Sequence, residues 1–290
     1  MKMPFILIFF LTIIFQINSN LLRNLATLEY KYTNYRAFKT DEDITEQTLT
    51  LTIAGKSVVY ITTTGKTITN SKIIKESGAS LNTENSEFYG VNAAILVNGG
   101  SVEITGTAVE TKAQGANAIC ATNVGVVTIS DSNITSTAQS SGRGLHATYG
   151  GKITASNVLV SSSGGSCATL ENDRGERTVT CSGCTLSANG SGSPLIYSTG
   201  VISITETTGT SGNAQAVVVE RKNSATISGN SYLKYTAEGN RKDVDKYGVM
   251  LYQSMSGDAD SGTSSFYCSG SSTIEFYQQA MFILQLQCFL

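Results

Sequence analysis

Residues 94–109 read AILVNGGSVEITGTAV, and residues 118–134 read AICATNVGVVTISDSNI. Both stretches contain a short apolar segment, a turn rich in Gly or Asn, a segment that alternates between apolar and polar residues, and the start of a third segment. Alternation with a period of two indicates a β-strand with one buried face. Gly, Asn and Ser between the segments are typical of turns. Each stretch therefore predicts three short strands in a fixed order.

The same triplet recurs along most of the chain. The centres of the alternating segments are separated by 25, 26, 26, 23 and 23 residues, at Ile104, Ile129, Ala155, Cys181, Ile204 and Ile227. A supersecondary unit that repeats at this length indicates a solenoid, in which neighbouring repeats bury a continuous core. We expect an inward apolar ladder from the first segments, at Ile95, Ile119, Leu145, Cys167, Leu195, Val217 and Met250.

With these repeats the chain resembles the right-handed parallel β-helix proteins, the architecture of pectate lyases and bacterial autotransporter adhesin passengers. The resemblance rests on the repeat and covers residues 48–277. It implies an all-β fold, a single-stranded right-handed parallel β-helix with three short strands per rung. No catalytic residue is carried over from the pectate lyases, because the strand centres hold Thr, Ser, Ile and Val where polygalacturonases need clustered aspartates.

Composition narrows the function further. The 290 residues include 36 Thr and 35 Ser, but only 14% are charged. Lys and Arg number 20 against 22 Asp and Glu, so the chain lacks the basic excess of a nucleic-acid-binding protein. The hydrophobic content of 40% is too high for a disordered Ser/Thr linker.

The two ends have their own signals. Residues 1–19 read as a secretory signal peptide, whose 12 apolar residues at 4–15 are too few to span a bilayer; an uncleaved signal anchor is the alternative. Residues 20–47 are expected to form a cap or linker. Residues 278–290 form an apolar tail that we interpret as a cap, a truncation or a lipid-anchor signal. The mature chain is expected to be a monomer, secreted or held at a surface, without a transmembrane span.

Export makes two modifications relevant. The sequons at Asn133 and Asn189 are expected to be glycosylated if the source is eukaryotic. Six cysteines follow the signal, and Cys181 and Cys184 form a CxxC motif. We expect mainly structural cysteines, some buried as small apolar residues, with a Cys181–Cys184 disulfide as the candidate pair. A redox-active motif or half of a zinc site remain the alternatives for it.

Inserted loops are the expected places for function, at residues 77–90, 171–178, 238–247 and 253–262. Four aspartates in the last two loops are the candidate binding residues and offer oxygen ligands for Ca²⁺: Asp243, Asp245, Asp258 and Asp260. No other cofactor is expected. Acidic turns exposed to solvent are the alternative interpretation.

Arg143 and His146 are the candidate catalytic pair, because a His near an Arg suits proton abstraction from uronic acid sugars. No carboxylate cluster is placed beside them by the sequence, so catalysis is not the main expectation. The outward row of the first segments is unusually apolar for a solvent face, at Leu96, Cys120, His146, Ala168, Ile196, Val218 and Leu251. Either this face is covered or binds a partner, or the strand phase is shifted by one residue.

The main functional hypothesis is an adhesin-like, non-catalytic β-helix that binds a polysaccharide or a cell-surface protein through an extended face. The first alternative is a lyase or glycoside hydrolase acting on acidic polysaccharide. The second is ice binding, suggested by TLTLT at residues 48–52; Thr does not repeat regularly enough in the sequence to favour it.

Overall fold

The computed structural model describes residues 38–174, 177–236, 247–253, 261–276 and 282–285. The expected signal peptide, the four candidate aspartates and Cys288 lie outside the described residues. Strands are numbered β1 to β28 in chain order, and successive strands go to three parallel sheets in turn. The chain is therefore an all-β, right-handed parallel β-helix with three strands per rung, as the sequence predicts.

Sheets A, B and C are defined by their strands. Sheet A contains β1 Lys39–Thr40, β4 Val59–Ile61, β7 Ile95–Asn98, β10 Ile119–Thr122, β13 Leu145–Thr148, β16 Leu170–Asp173, β19 Ile196–Ser198, β22 Val217–Glu220, β25 Val249–Tyr252 and β28 Phe282–Gln285. Sheet B contains β2 Ile44–Thr45, β5 Lys66–Thr69, β8 Ser101–Thr105, β11 Val126–Ser130, β14 Lys152–Ser156, β17 Thr178–Ser182, β20 Val201–Thr205, β23 Ser224–Ser228 and β26 Ser265–Cys268. Sheet C contains β3 Thr48–Leu51, β6 Lys72–Lys75, β9 Ala108–Thr111, β12 Asn133–Ser136, β15 Leu159–Ser162, β18 Thr185–Ala188, β21 Thr208–Ser211, β24 Tyr232–Tyr235 and β27 Thr273–Phe276.

Strands occur on both sides of the expected boundaries of the β-helix. β1 and β2 lie within the segment 20–47 and pair in parallel with β4 and β5. β28 lies within the tail 278–290 and pairs with β25. In the described part of the chain, no helix is long and apolar enough to cross a membrane.

The core is built from columns of apolar side chains, one residue from each rung. The predicted column of sheet B is confirmed by the strand register, which joins Ile104, Ile129, Ala155, Cys181, Ile204 and Ile227. All six side chains are buried. The alternating burial of these strands explains why the sequence was informative here, since every second residue faces solvent.

The predicted ladder of sheet A is correct for Ile95, Ile119, Leu145 and Val217 and wrong at three rungs. There the register places Leu170, Ile196 and Val249 in the column in place of Cys167, Leu195 and Met250. The turns before these strands contain small and apolar residues that are also buried, so the apolar pattern begins before the strand does. The segment 171–178 was expected to be a loop. It instead contains the end of β16 and the start of β17.

The corner between sheets B and C is made by one residue in the left-handed conformation in most rungs. Asn70, Asp131 and Asn157 occupy it with φ of 48°, 49° and 54°. Asn and Asp tolerate this conformation better than other residues with a side chain. A tight corner of this kind turns the chain between two sheets without a loop.

A column of hydroxyl groups follows that corner, and we call it the corner ladder: Ser71, Thr107, Ser132, Thr207 and Ser231. Thr107 shows the pattern, since its hydroxyl donates to the carbonyl of Thr105 at 3.0 Å and accepts the N–H of Ser71 at 3.4 Å. The N–H of Thr107 in turn donates to the Ser132 hydroxyl at 3.1 Å. The same arrangement links Cys184, Thr207 and Ser231. The ladder therefore satisfies backbone groups that the corner removes from the sheets.

Candidate functional site

The outward row of sheet A is largely covered. The register assigns this row to Leu96, Cys120, His146, Glu171, Tyr197, Val218 and Met250, which replaces the predicted Ala168, Ile196 and Leu251. Leu96, Cys120 and His146 are fully buried, although they point away from the core of the β-helix. The strand phase was thus right for these three residues, and the covered-face interpretation is confirmed for them.

The cover is the helix α1, Thr83–Tyr89, which lies in the predicted insertion 77–90. Asn82 caps its first turn by accepting the N–H of Asn85, and Gly90 ends it with φ of 68°. The imidazole Nε2 of His146 donates to the Glu87 carbonyl at 2.7 Å. Asn117 donates to the Ser86 carbonyl at 3.0 Å. The helix is therefore held against sheet A by hydrogen bonds that the backbone carbonyls near its C-terminal end accept.

The candidate catalytic residues Arg143 and His146 belong to this buried interface. The Arg143 guanidinium lies 2.9 Å from a carboxylate oxygen of Glu171 and 3.1 Å from one of Glu87. Burial, together with the nearby Arg143 charge, lowers the pKa of His146 to about 3, so the imidazole is neutral at physiological pH. Glu171 is a partner that the sequence analysis missed. Both candidates are engaged in joining α1 to sheet A, and neither faces a space that a polymer can enter.

A second polar cluster lies further along the same face. The hydroxyls of Tyr197 and Tyr252 donate to one oxygen of Glu220, at 2.7 and 2.9 Å. Burial first, and then the neighbouring acidic groups, raise the pKa of both tyrosines. A tyrosinate that could act as a base near neutral pH is therefore disfavoured here.

The outer face of sheet B carries the most regular surface of the described residues. Its central outward column is Thr67, Glu103, Thr128, Thr154, Thr180, Ser203, Thr226 and Tyr267. A second column runs beside it through Thr69, Thr105, Ser130, Ser156, Ser182, Thr205 and Ser228. We call these two columns the hydroxyl face. Neighbouring strands of a sheet are about 4.8 Å apart, and residues two positions apart along a strand are about 6.6 Å apart, which sets the backbone spacing within and between the columns.

The side chains at the centre of the hydroxyl face are available to a ligand. Thr128 and Thr154 are exposed, and Thr180 is half-buried. The hydroxyls of these three residues make no hydrogen bond to another residue in the described part of the chain. On this face Thr aligns in three consecutive rungs, between Glu103 and Ser203, which is a longer row than the sequence indicated. The signal was present as the repeated TIS, TAS and TCS triplets, but only the register aligns them.

The segment 48–52, which suggested ice binding, lies elsewhere. Thr48 and Thr50 are in β3 at the outer face of sheet C. The column through Thr50 continues with Ile74 and Glu110, so the Thr pattern of this segment does not extend to the next rungs.

The corner between sheets B and C is lined by two adjoining clefts of about 310 and 350 Å³ that share Asp131 and Asn133. The sequon residue Asn133 is exposed and begins β12 on the sheet C side. Asn189, the other sequon residue, is also exposed and follows β18. Both amides are accessible, and their glycosylation stays a prediction.

Cys120, Cys167, Cys181 and Cys184 are buried free thiols, and Cys268 is an exposed free thiol. Burial raises the pKa of Cys120 and Cys167, which favours inert structural thiols at both positions. In the ranges that the structure describes, no group of three or more His, Cys, Asp or Glu side chains could hold a metal ion.

Comparisons with known proteins add little to this geometry. No protein-family model matches the chain, and no curated protein matches it. Among solved structures, the alginate lyase from Paenibacillus sp. str. FPU-7 is 11% identical, with a TM-score of 0.20, over 78% of this chain and 99% of that chain. A likeness at this level supports no argument about activity.

Proposed function

We propose that this chain is a secreted or surface-attached, non-catalytic binding protein that holds an uncharged polysaccharide along its hydroxyl face. The observation that carries the proposal is the pair of Thr/Ser columns that continue over successive rungs of sheet B. A hydroxyl both donates and accepts hydrogen bonds, as do the hydroxyls of a sugar. A repeating array of such groups suits an extended polymer, because weak contacts made by many units add up.

The charge of the face favours a neutral ligand. Glu103 lies in the central column, and Lys152 lies at the start of β14. These opposite charges provide no row of cations for an acidic polymer. The exposed side chains of Val126 and Val201 lie at the edge of the same face and supply apolar area for the C–H surfaces of sugar rings.

The burial of Arg143 and His146 also supports a binding function over a lyase or hydrolase. A lyase acting on uronic acids needs a cation for the carboxylate and an accessible base. Here the Arg143 charge is neutralised by Glu87 and Glu171, and the His146 side chain is covered by α1.

The test removes hydroxyls without changing side-chain shape. A triple variant, Thr128→Val/Thr154→Val/Thr180→Val, is compared with the wild type for retention on immobilised neutral and acidic polysaccharides. We expect retention on a neutral polymer and at least a tenfold weaker apparent affinity in the variant. The matched control, Thr185→Val/Thr208→Val/Thr210→Val, changes exposed threonines of sheet C and should bind as the wild type does.

Two results would overturn the proposal. One is equal binding by the wild type and the sheet B variant. The other is the release of unsaturated or reducing ends from an acidic polymer by the purified protein, which would favour the lyase or hydrolase alternative.

Ice binding remains a second candidate, because Thr128, Thr154 and Thr180 align in three consecutive rungs. A flat array of hydroxyls and methyl groups at a fixed spacing could order water. Measurement of thermal hysteresis with the same two triple variants separates this function from polysaccharide binding. Hysteresis that is lost in the sheet B variant, without retention on any polymer, would favour it.

A further inference from the structure

The CxxC motif occupies two different columns of the β-helix at a single rung. Cys181 faces the core in the column that also contains Ile104, Ile129, Ala155, Ile204 and Ile227. Cys184 takes a place in the corner ladder, where its N–H donates to the Thr207 hydroxyl at 3.3 Å. Cys268 follows Ile227 in the first column, but Ser271 is the residue three positions later. Among the described rungs, cysteines thus occupy both positions only at this one.

The corner geometry brings the two thiols together. Cys181 ends the inward alternation of β17, Ser182 and Gly183 form the corner, and Cys184 precedes β18. The two side chains are close enough to interact, and this interaction raises the pKa of Cys181 and lowers that of Cys184. Cys181 is fully buried, and Cys184 is 2% exposed. Apart from this contact, Cys184 Sγ lies 3.5 Å from the Ser182 carbonyl and 3.9 Å from that of Ala155.

We propose that Cys181 and Cys184 form an intrachain disulfide within one rung when the chain folds in an oxidising compartment. The proposal does not depend on the proposed function. In the reaction, a thiolate of one cysteine attacks a small-molecule disulfide such as oxidised glutathione, and one glutathione thiolate leaves. The second cysteine then attacks the mixed disulfide and releases the other glutathione. Each cysteine loses one proton, the S–S bond forms between Cys181 and Cys184, and the two electrons reduce the glutathione disulfide to two thiols.

The environment supports this order of events. In the folded chain the interaction with Cys181 lowers the pKa of Cys184, which makes Cys184 the more acidic of the two thiols. Because both sulfurs are buried in the folded chain, we expect the bond to form during folding.

The experiment follows the two thiols through folding. The full chain is unfolded, reduced, and refolded in a glutathione redox buffer. It is then denatured, alkylated without reduction, and mapped by mass spectrometry. We expect the peptide that contains Cys181 and Cys184 to lack both alkyl groups and to weigh two hydrogens less than its reduced form. Cys120 and Cys167 should be fully alkylated. Alkylation of Cys181 and Cys184, or their linkage to any other cysteine, would overturn the proposal.

A double variant provides the control. Cys181→Val/Cys184→Ser places in each column a residue type that suits it, so it should fold. Adding a reducing agent should lower the denaturation midpoint of the wild type and leave that of the variant unchanged. If a reductant lowers the denaturation midpoint of both proteins equally, the disulfide is not at this site.

Discussion

At the scale of single residues, Gly90 determines how closely α1 approaches sheet A. Its φ of 68° places it in the left-handed region. A Cβ atom at this position would lie 2.3 Å from Cys120 Sγ and 2.8 Å from a Leu96 methyl group. Both neighbours are fully buried. Only glycine therefore allows the helix to end against the sheet.

We expect Gly90→Ala to destabilise the chain by about 2–5 kcal/mol, because left-handed strain adds to overpacking. Urea unfolding measures the change in the free energy of unfolding. Gly65→Ala is the control, since Gly65 has φ of 75° but a Cβ there would meet no atom within 4 Å. Gly65→Ala should lower the free energy of unfolding only by the left-handed strain, about 1–2 kcal/mol. Equal losses in the two variants would show that α1 does not rest on Cys120.

Lys75 shows how a single residue can depart from its pattern. The sequence KIIK suggests that Ile73 and Ile74 face the core, but the inward residues of β6 are Ile73 and Lys75. The Lys75 ammonium donates to the carbonyls of Ile53 and Lys56, at 2.5 and 2.8 Å. Burial lowers the pKa of Lys75 to about 8. These carbonyl partners lie about 20 residues earlier, so no local pattern could indicate them.

At the scale of elements, the corner ladder links the rungs between sheets B and C. Thr207 donates to the Thr205 carbonyl at 2.9 Å and accepts the N–H of Cys184 at 3.3 Å. Its side chain is buried. Replacing the hydroxyl with a methyl group would keep the volume and the branched shape, but it would leave a part-buried carbonyl and a buried N–H without this partner.

We expect Thr207→Val to lower the free energy of unfolding by about 1–3 kcal/mol, since buried polar groups lose a hydrogen bond. Thr208→Val is the matched control, because Thr208 is exposed on sheet C. It should change stability by less than about 0.5 kcal/mol. Chemical denaturation of the two variants checks the difference, and similar stabilities would mean that the ladder hydroxyl contributes nothing.

At the scale of the whole β-helix, stability should vary along the stack of rungs. Strands in the middle of a sheet are paired on both sides, whereas β1 contains two residues and pairs only with β4. In a solenoid each rung is stabilised mainly by its neighbours. The end rungs should therefore open without unfolding of the rest.

Hydrogen exchange measured residue by residue tests this expectation. The Lys39 N–H, bonded to the Val58 carbonyl at 3.0 Å, should exchange at least 100-fold faster than the Ile119 N–H, bonded to the Gly144 carbonyl at 3.1 Å. Local opening is enough to expose the first amide to exchange, whereas exchange of the second requires the central rungs to open. Equal protection would indicate that all rungs unfold as one cooperative unit.

The sequence by itself determined the triplet of strands, their order and the core column of sheet B. These followed from period-two alternation, which is clear because one face of sheet B meets solvent. Sheet A lacks this alternation, because all four residues are buried in β10 and in β13. Its phase was predicted correctly in these two strands and wrongly at β16, β19 and β25, where only the register places Leu170, Ile196 and Val249 in the core. The sequence also could not predict the role of Arg143, because its ion-pair partners Glu87 and Glu171 come from separate segments of the chain.

Only the tertiary structure decided which hydroxyls form a surface. Thr67 and Glu103 are adjacent in space but 36 residues apart, and Thr226 and Tyr267 are 41 apart, whereas the neighbours between Glu103 and Thr226 are 23 to 26 apart. The hydrogen-bond register between strands fixes these neighbours, and insertions such as the one that contains α1 change the spacing without changing the register. A fixed repeat length in the sequence could therefore predict the β-helix, but it could not align its outer face.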